Sequence, residues 1–195
     1  MPTFTVDWFD KNIPNFIHIR ENLESVDSIL EIGCNEGRST CWMLENMLSP
    51  TGTITCVDPF ANTHINPFNP EKIADNRTTE TRFRANVTEV KKSKQKINIM
   101  PEVSYTALAK LIVKNQQYDF IYVDGNHTAE PALTDACMCW GLLKPGGIML
   151  FDDYLWEDEP DQFDRCKMSV DAFTTLFRRQ FTFSVLNYQL GVQKI

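Results

Sequence analysis

No run of apolar residues in this chain approaches the ~18 that a membrane-spanning helix needs, and no basic-then-apolar leader opens it. These two absences predict a cytoplasmic protein without membrane contact. Positive charge is also scarce: 19 Lys and Arg stand against 26 Asp and Glu, for a net charge of -7. Nucleic-acid surfaces need clustered cations to neutralise phosphates, so this balance argues against a nucleic-acid partner. The one basic run, Lys91-Lys92-Ser93-Lys94-Gln95-Lys96, reads as a solvated loop or helix end. The six cysteines form no Cys-x-x-Cys pair, so the metal and dithiol templates fail. Several sit in apolar segments, as buried free thiols in a reducing compartment do. Internal repeats, low-complexity linkers and a Walker phosphate loop are absent as well.

What the sequence does contain is the composition of an ordinary globular protein, 43% hydrophobic and 23% charged over 195 residues. That length suits one domain, with residues 1–25 as a helical cover and 26–195 as the core. The opening segment, with Trp8, Phe9, Phe16 and Ile17, is expected to cover the site or to pack on a neighbour as a homo-oligomer contact. Strand-like and helix-like segments then alternate. Strands are predicted at 26–32, 53–57, 97–100, 118–123 and 148–151, and helices at 38–48, 81–90, 104–113, 130–143 and 169–179. Residues 60–80 show no clean period and read as a long loop, a feature uncommon in compact domains unless functional. Two final strand candidates, 181–188 and 190–195, are joined so tightly that they must pair antiparallel. The fold class is therefore α/β, a Rossmann-like doubly wound, mostly parallel seven-stranded sheet with a C-terminal antiparallel hairpin.

In such sheets ligands sit outside the carboxyl ends of the strands. The first strand ends in Glu31-Ile32-Gly33-Cys34-Asn35-Glu36-Gly37. Gly33 permits a tight turn and Gly37 lets the next helix start close beneath a ligand. Asn35 stands where the dinucleotide pattern Gly-x-Gly-x-x-Gly needs its second glycine. An acidic residue before the glycines suits a cationic ligand better than a pyrophosphate, and Glu31 can accept from an ammonium directly or through water. Asp58, at the end of the second strand, can take the two ribose hydroxyls of an adenosine. In this order and spacing the pair favours S-adenosylmethionine.

The string from Glu31 through Gly37-Arg38-Ser39-Thr40 resembles the first motif of class I S-adenosylmethionine-dependent methyltransferases. The similarity is greatest to the small branch of metal-dependent sugar and macrolide O-methyltransferases. Arg82-Phe83-Arg84-Ala85-Asn86-Val87, Asp124-Gly125-Asn126-His127, Lys144-Pro145-Gly146-Gly147, Asp152-Asp153-Tyr154 and Val170-Asp171-Ala172-Phe173 resemble that branch too. The resemblance implies cofactor contacts from Glu31, Gly33, Asn35, Gly37, Ser39, Thr40, Asp58, Ser104 and Asp124, with an adenine role for Val103 or Ser104. The sequence departs from the branch at Asn126, often Asp, and at Glu102, often Gly.

Asp124 ends the fourth strand and Asp152-Asp153 the fifth. Adjacent strands lie about 4.8 Å apart, so the three carboxylates can converge, and their repulsion is relieved by a hard divalent cation. The resembling branch places magnesium at these positions. Such an ion lowers the pKa of a substrate hydroxyl and orients it for in-line methyl transfer, with Asp124 or His127 taking the proton. The expected acceptor is a small molecule bearing a hydroxyl, a sugar first, the sugar preference coming from the resemblance alone. Trp156, Glu157, Asp158, Glu159 and Asp161 make the loop before the last helix acidic. Two alternatives stay open: a metal-independent methyltransferase with His127 as base, and a non-catalytic S-adenosylmethionine-binding module.

Overall fold

The computed structural model describes residues 1–60, 76–157 and 160–195. Of the expected long loop, residues 61–75 lie outside the described residues, as do Asp158 and Glu159 of the acidic loop.

Seven strands form one sheet: β1 Ser28–Ile32, β2 Thr53–Val57, β3 Lys96–Met100, β4 Tyr118–Val123, β5 Leu143–Phe151, β6 Phe181–Leu186 and β7 Leu190–Lys194. Their spatial order is β3-β2-β1-β4-β5-β7-β6. The first five are parallel, and β7 inserts antiparallel between β5 and β6. The order reverses between β1 and β4, which opens a crevice at the carboxyl ends of those two strands.

Central strands bury both faces, and alternate residues go to opposite cores. Ile29, Phe120, Tyr122, Ile148 and Leu150 face one layer together with Phe16, Met43 and Leu44. Leu30, Ile121, Val123, Met149 and Phe151 face the other with Leu108, Trp140 and Phe173. The helices behind these contacts are α1 Ile13–Asn22, α2 Arg38–Asn46, α3 Asn76–Val90, α4 Ser104–Val113, α5 Ala129–Leu142 and α6 Cys166–Phe177.

Several boundaries differ from the sequence expectation. α3 starts five residues early, at Asn76, and α6 three early, at Cys166. β5 follows α5 without a loop, beginning at Leu143 and running through Lys144-Pro145-Gly146-Gly147. Gly147 makes this possible, because a Cβ there would stand 2.9 Å from the Asp119 carbonyl of β4. Ahead of α1, residues 1–9 form no helix. They lie across α2 and α3, where the Thr3 amide donates to Asn86 Oδ1 at 2.9 Å and the Thr5 amide to Glu36 Oε2 at 2.6 Å. Phe9 and Phe16 pack edge to face in the core with centroids 4.9 Å apart. Five of the six cysteines are buried as free thiols and Cys137 is exposed. No helix among the described residues is long and apolar enough to cross a membrane.

Candidate active site

The glycine loop joins β1 to α2 at the strand-order reversal. Gly33 has φ +83°, and a Cβ there would fall 1.8 Å from the Asp124 carbonyl, so the turn lies directly against the end of β4. Gly37, also at φ +83°, caps α2 beneath the ring of Phe83. Asn35 takes φ +43°, the left-handed region in which asparagine is among the better tolerated residues.

Strand parity decides where Glu31 goes. It shares the side of Ile29, toward α2, and is wholly buried. The hydroxyls of Ser39 and Thr40, on the first turn of α2, each donate to one of its oxygens. Burial pushes the Glu31 carboxyl up to about 7, with the nearby Asp58 charge adding to the rise and the two hydroxyls opposing it. These three residues are thus hydrogen-bonded to one another inside the protein. They anchor the loop from beneath.

Asp58 reaches the edge. Its Oδ2 accepts the amides of Cys34 and Asn35, both at 2.8 Å, and its Oδ1 accepts the Phe60 amide at 2.7 Å. Each carboxylate oxygen has two acceptor positions. Oδ2 is filled by the loop, and one position remains on Oδ1 for a ligand hydroxyl. Ser104 opens α4 at the same edge, half-buried. Asp135, an almost wholly buried acid on α5, has its carboxyl pushed up to about 6 by burial, with Ser104 opposing the rise.

Asp124, His127, Asp152 and Asp153 stand together at the ends of β4 and β5. Asp124, His127 and Asp152 line a small recess with Gly125, Asn126 and Phe151. Desolvation drives the Asp124 carboxyl well above the usual range, and the charges of Asp152 and Asp153 drive it further. Asp152 Oδ1 accepts the side-chain amides of Asn12 at 3.1 Å and Gln189 at 2.6 Å. Asp153, at φ +50°, accepts the Tyr188 hydroxyl and lies 3.0 Å from His127 Nδ1. Ligand atoms of Asp124, His127 and Asp153 all lie within 4.8 Å of one another. Three acids and an imidazole at one sheet edge, with a repulsion that only a proton or cation relieves, fit a hard divalent ion. His127 also packs beside Trp156, with centroids 5.3 Å apart. Tyr154 donates its hydroxyl to Asp171 at 3.0 Å.

Three contributors carried no recognisable sequence signal: Asn12, Gln189 and Tyr188. Their partners lie far away in the chain, and isolated polar residues in polar surroundings show no period. Glu36 had an indirect one, since Arg82, which pairs with it, and Asn86, which donates to its carbonyl at 2.9 Å, both belong to a family-like string.

A protein-family signature described as a methyltransferase domain matches residues 30–154, more than half of the chain. No curated protein matches the sequence at significance. Among solved structures, an O-methyltransferase from Bacillus cereus in complex with SAH superposes with a TM-score of 0.66 at 16% identity, over 99% of this chain and 84% of that one. CalS11, a TDP-rhamnose 3'-O-methyltransferase of calicheamicin biosynthesis, gives 0.60 at 15% identity, over 94% of this chain and 78% of its own. The MycE methyltransferase of the mycinamycin pathway, in complex with Mg and SAH, gives 0.59 at 14% identity, over 98% of this chain and 51% of its own. At such identities the structures share the fold. The signature match carries the classification, and by it the chain belongs to the methyltransferase-domain family.

Proposed function

We propose that this protein is an S-adenosylmethionine-dependent O-methyltransferase that methylates a hydroxyl of a small molecule, a sugar first, with the help of a divalent metal, magnesium. The observation that carries the reading is the convergence of Asp124, Asp152, Asp153 and His127 beside a glycine loop at the strand-order reversal. Support for the cofactor comes from the family and from the SAH bound in the Bacillus cereus and MycE structures. The metal and the sugar are suggested by MycE with its Mg and by CalS11 with its TDP-rhamnose.

In this reading the loop of Gly33, Asn35 and Gly37 lies under the methionine end. Asp58 takes a ribose hydroxyl on Oδ1 while its Oδ2 keeps the loop in shape. Ser104 stands at the base. Asp124, Asp152 and Asp153 hold the metal, which supplies a lowered pKa to an acceptor hydroxyl when bound. His127 holds Nδ1 3.0 Å from Asp153, which orients the imidazole, and it takes the acceptor's proton in this reading. The 3.0 Å approach of His127 Nδ1 to Asp153, an imidazole oriented by a carboxylate, supports one second reading: metal-independent transfer with the same base.

Calorimetric titration with S-adenosylmethionine and S-adenosylhomocysteine tests the cofactor, and methyl transfer to hydroxylated acceptors with and without EDTA tests the metal. Binding of both ligands and turnover that EDTA abolishes are expected. Failure to bind either ligand sinks the reading; turnover that survives EDTA moves it to the metal-independent form. Asp153→Ala is expected to remove turnover while leaving cofactor affinity intact.

A further inference from the structure

The acidic pair that ends β5 is not held by its own loop. Asp152 Oδ1 carries two side-chain amides on one oxygen, from Asn12 ahead of α1 and from Gln189 in the turn between β6 and β7. Both donors are out of solvent, Asn12 at 4% exposure and Gln189 at 0%. A polar side chain is buried at a cost unless its hydrogen bonds are made, and those of Gln189 are made. Its Oε1 accepts from Asn15 Nδ2 at 2.8 Å, which fixes the amide so that Nε2 faces Asp152. Asn15 in turn exchanges hydrogen bonds with Asn187, at 3.1 and 2.9 Å. Asn187 Oδ1 also accepts the Gln189 backbone amide at 3.0 Å.

The neighbouring acid is held by the second of these segments. Tyr188, between Asn187 and Gln189, donates its hydroxyl to Asp153, and Lys11 lies over the Tyr188 ring at 4.2 Å from its centroid. Residues 11–15 and 187–189 therefore meet beside Asp152 and Asp153, both donating to Asp152 Oδ1 and Tyr188 alone to Asp153. Neither segment belongs to the 30–154 stretch that carries the family signature.

We propose that Asn12 and Gln189, locked by Asn15 and Asn187, are positioning residues that aim the Asp152 carboxylate into the recess and so set the affinity of the site for a divalent cation. With Oδ1 saturated by two amides, Oδ2 is the oxygen that Asp152 turns to the cluster. The N-terminal segment is then a working part of the active centre. This inference rests on the metal-assisted reading above, and it adds residues that no motif identifies.

Hydrogen-bond partners of metal-binding carboxylates commonly contribute about 10- to 100-fold to metal affinity. Mn2+ serves as the probe, with free aqua Mn2+ followed by electron paramagnetic resonance in wild type and in Asn12→Ala, Asn12→Leu and Gln189→Met. Wild type is expected to bind Mn2+, and Asn12→Ala and Gln189→Met to bind it about tenfold more weakly. Asn12→Leu keeps the bulk and removes the donor, so it should lose as much as Asn12→Ala does. A packing role predicts instead that the Leu variant stays nearest wild type. That order, or unchanged affinity in folded variants, overturns the proposal. Hydrogen exchange over residues 151–155 in metal-free protein is the second measurement. Exchange should rise in all three variants, and wild-type exchange would refute the positioning role. If wild type itself binds no Mn2+, the metal reading fails while the exchange data still judge the clamp. Circular dichroism establishes folding, and Asn12→Ala, the mildest change, carries the comparison if either other variant fails to fold.

Discussion

Glu31 has partners that the motif does not announce: the pleat turns it toward α2, where the Ser39 and Thr40 hydroxyls each donate to one of its oxygens. A strand of period two sends neighbours to opposite faces, and the motif gives no sign of which face holds the ligand. Because burial lifts this carboxyl from 4.5 to about 7, the folded state binds a proton more readily than the unfolded chain between those values. Stability from this group is complete below about pH 4.5, and it is lost as the pH rises through 7. Glu31→Gln keeps the shape and removes the charge. Thermal unfolding of Glu31→Gln at pH 8 should show a gain of up to about 3 kcal/mol, vanishing toward pH 4.5. A variant no more stable than wild type at pH 8 would contradict the buried-charge account. The sequence placed Asp58 at the edge, and the structure adds that three loop amides already draw on it.

At the scale of elements, the loop from Gly33 to Gly37 was legible because its constraints are local. Only glycine relieves a turn at φ +83° with a carbonyl 1.8 Å from where a Cβ would sit. Gly33→Ala has to push β4 and β1 apart or abandon the turn. The expected loss is at least about 3 kcal/mol, in the range of overpacked cores and strained backbones, with S-adenosylhomocysteine binding lost in whatever protein remains folded. Chemical denaturation and calorimetry check the two halves separately, and a loss below about 1 kcal/mol would mean that the turn is not tight. The N-terminal segment was not legible in the same way. Its contacts pair Thr3 with Asn86, Thr5 with Glu36, Asp10 with Arg38 and Asn12 with Asp152. These are long-range polar pairings, and they leave no periodic trace in a sequence read alone. The expectation of a helical cover was met only by α1, while residues 1–9 became a strap.

For the molecule as a whole, the order of strands and helices could be read from hydrophobic runs and their breaks, because a doubly wound sheet needs alternating β and α segments. Register, and therefore the grouping of acids from β4 and β5, came from pairing across the sheet, such as Val123 opposite Phe151. That pairing brings Asp124 beside Asp152 in a protein already carrying net charge -7, so the metal-free fold bears an electrostatic cost at its functional edge. Asp124→Asn removes one of the converging charges while keeping a hydrogen-bonding side chain. In EDTA this variant should melt above wild type. Magnesium should raise the melting temperature of wild type, since a ligand at about 100 times its Kd adds about 2.7 kcal/mol, which for a chain of this size is about 5–10 °C. The same addition should leave Asp124→Asn unchanged. Scanning calorimetry of the two proteins across a magnesium series separates the effects. A wild type indifferent to magnesium would assign the acids to proton transfer alone, whereas a variant that still responds would remove Asp124 from the ion's ligands and leave the site to His127, Asp152 and Asp153.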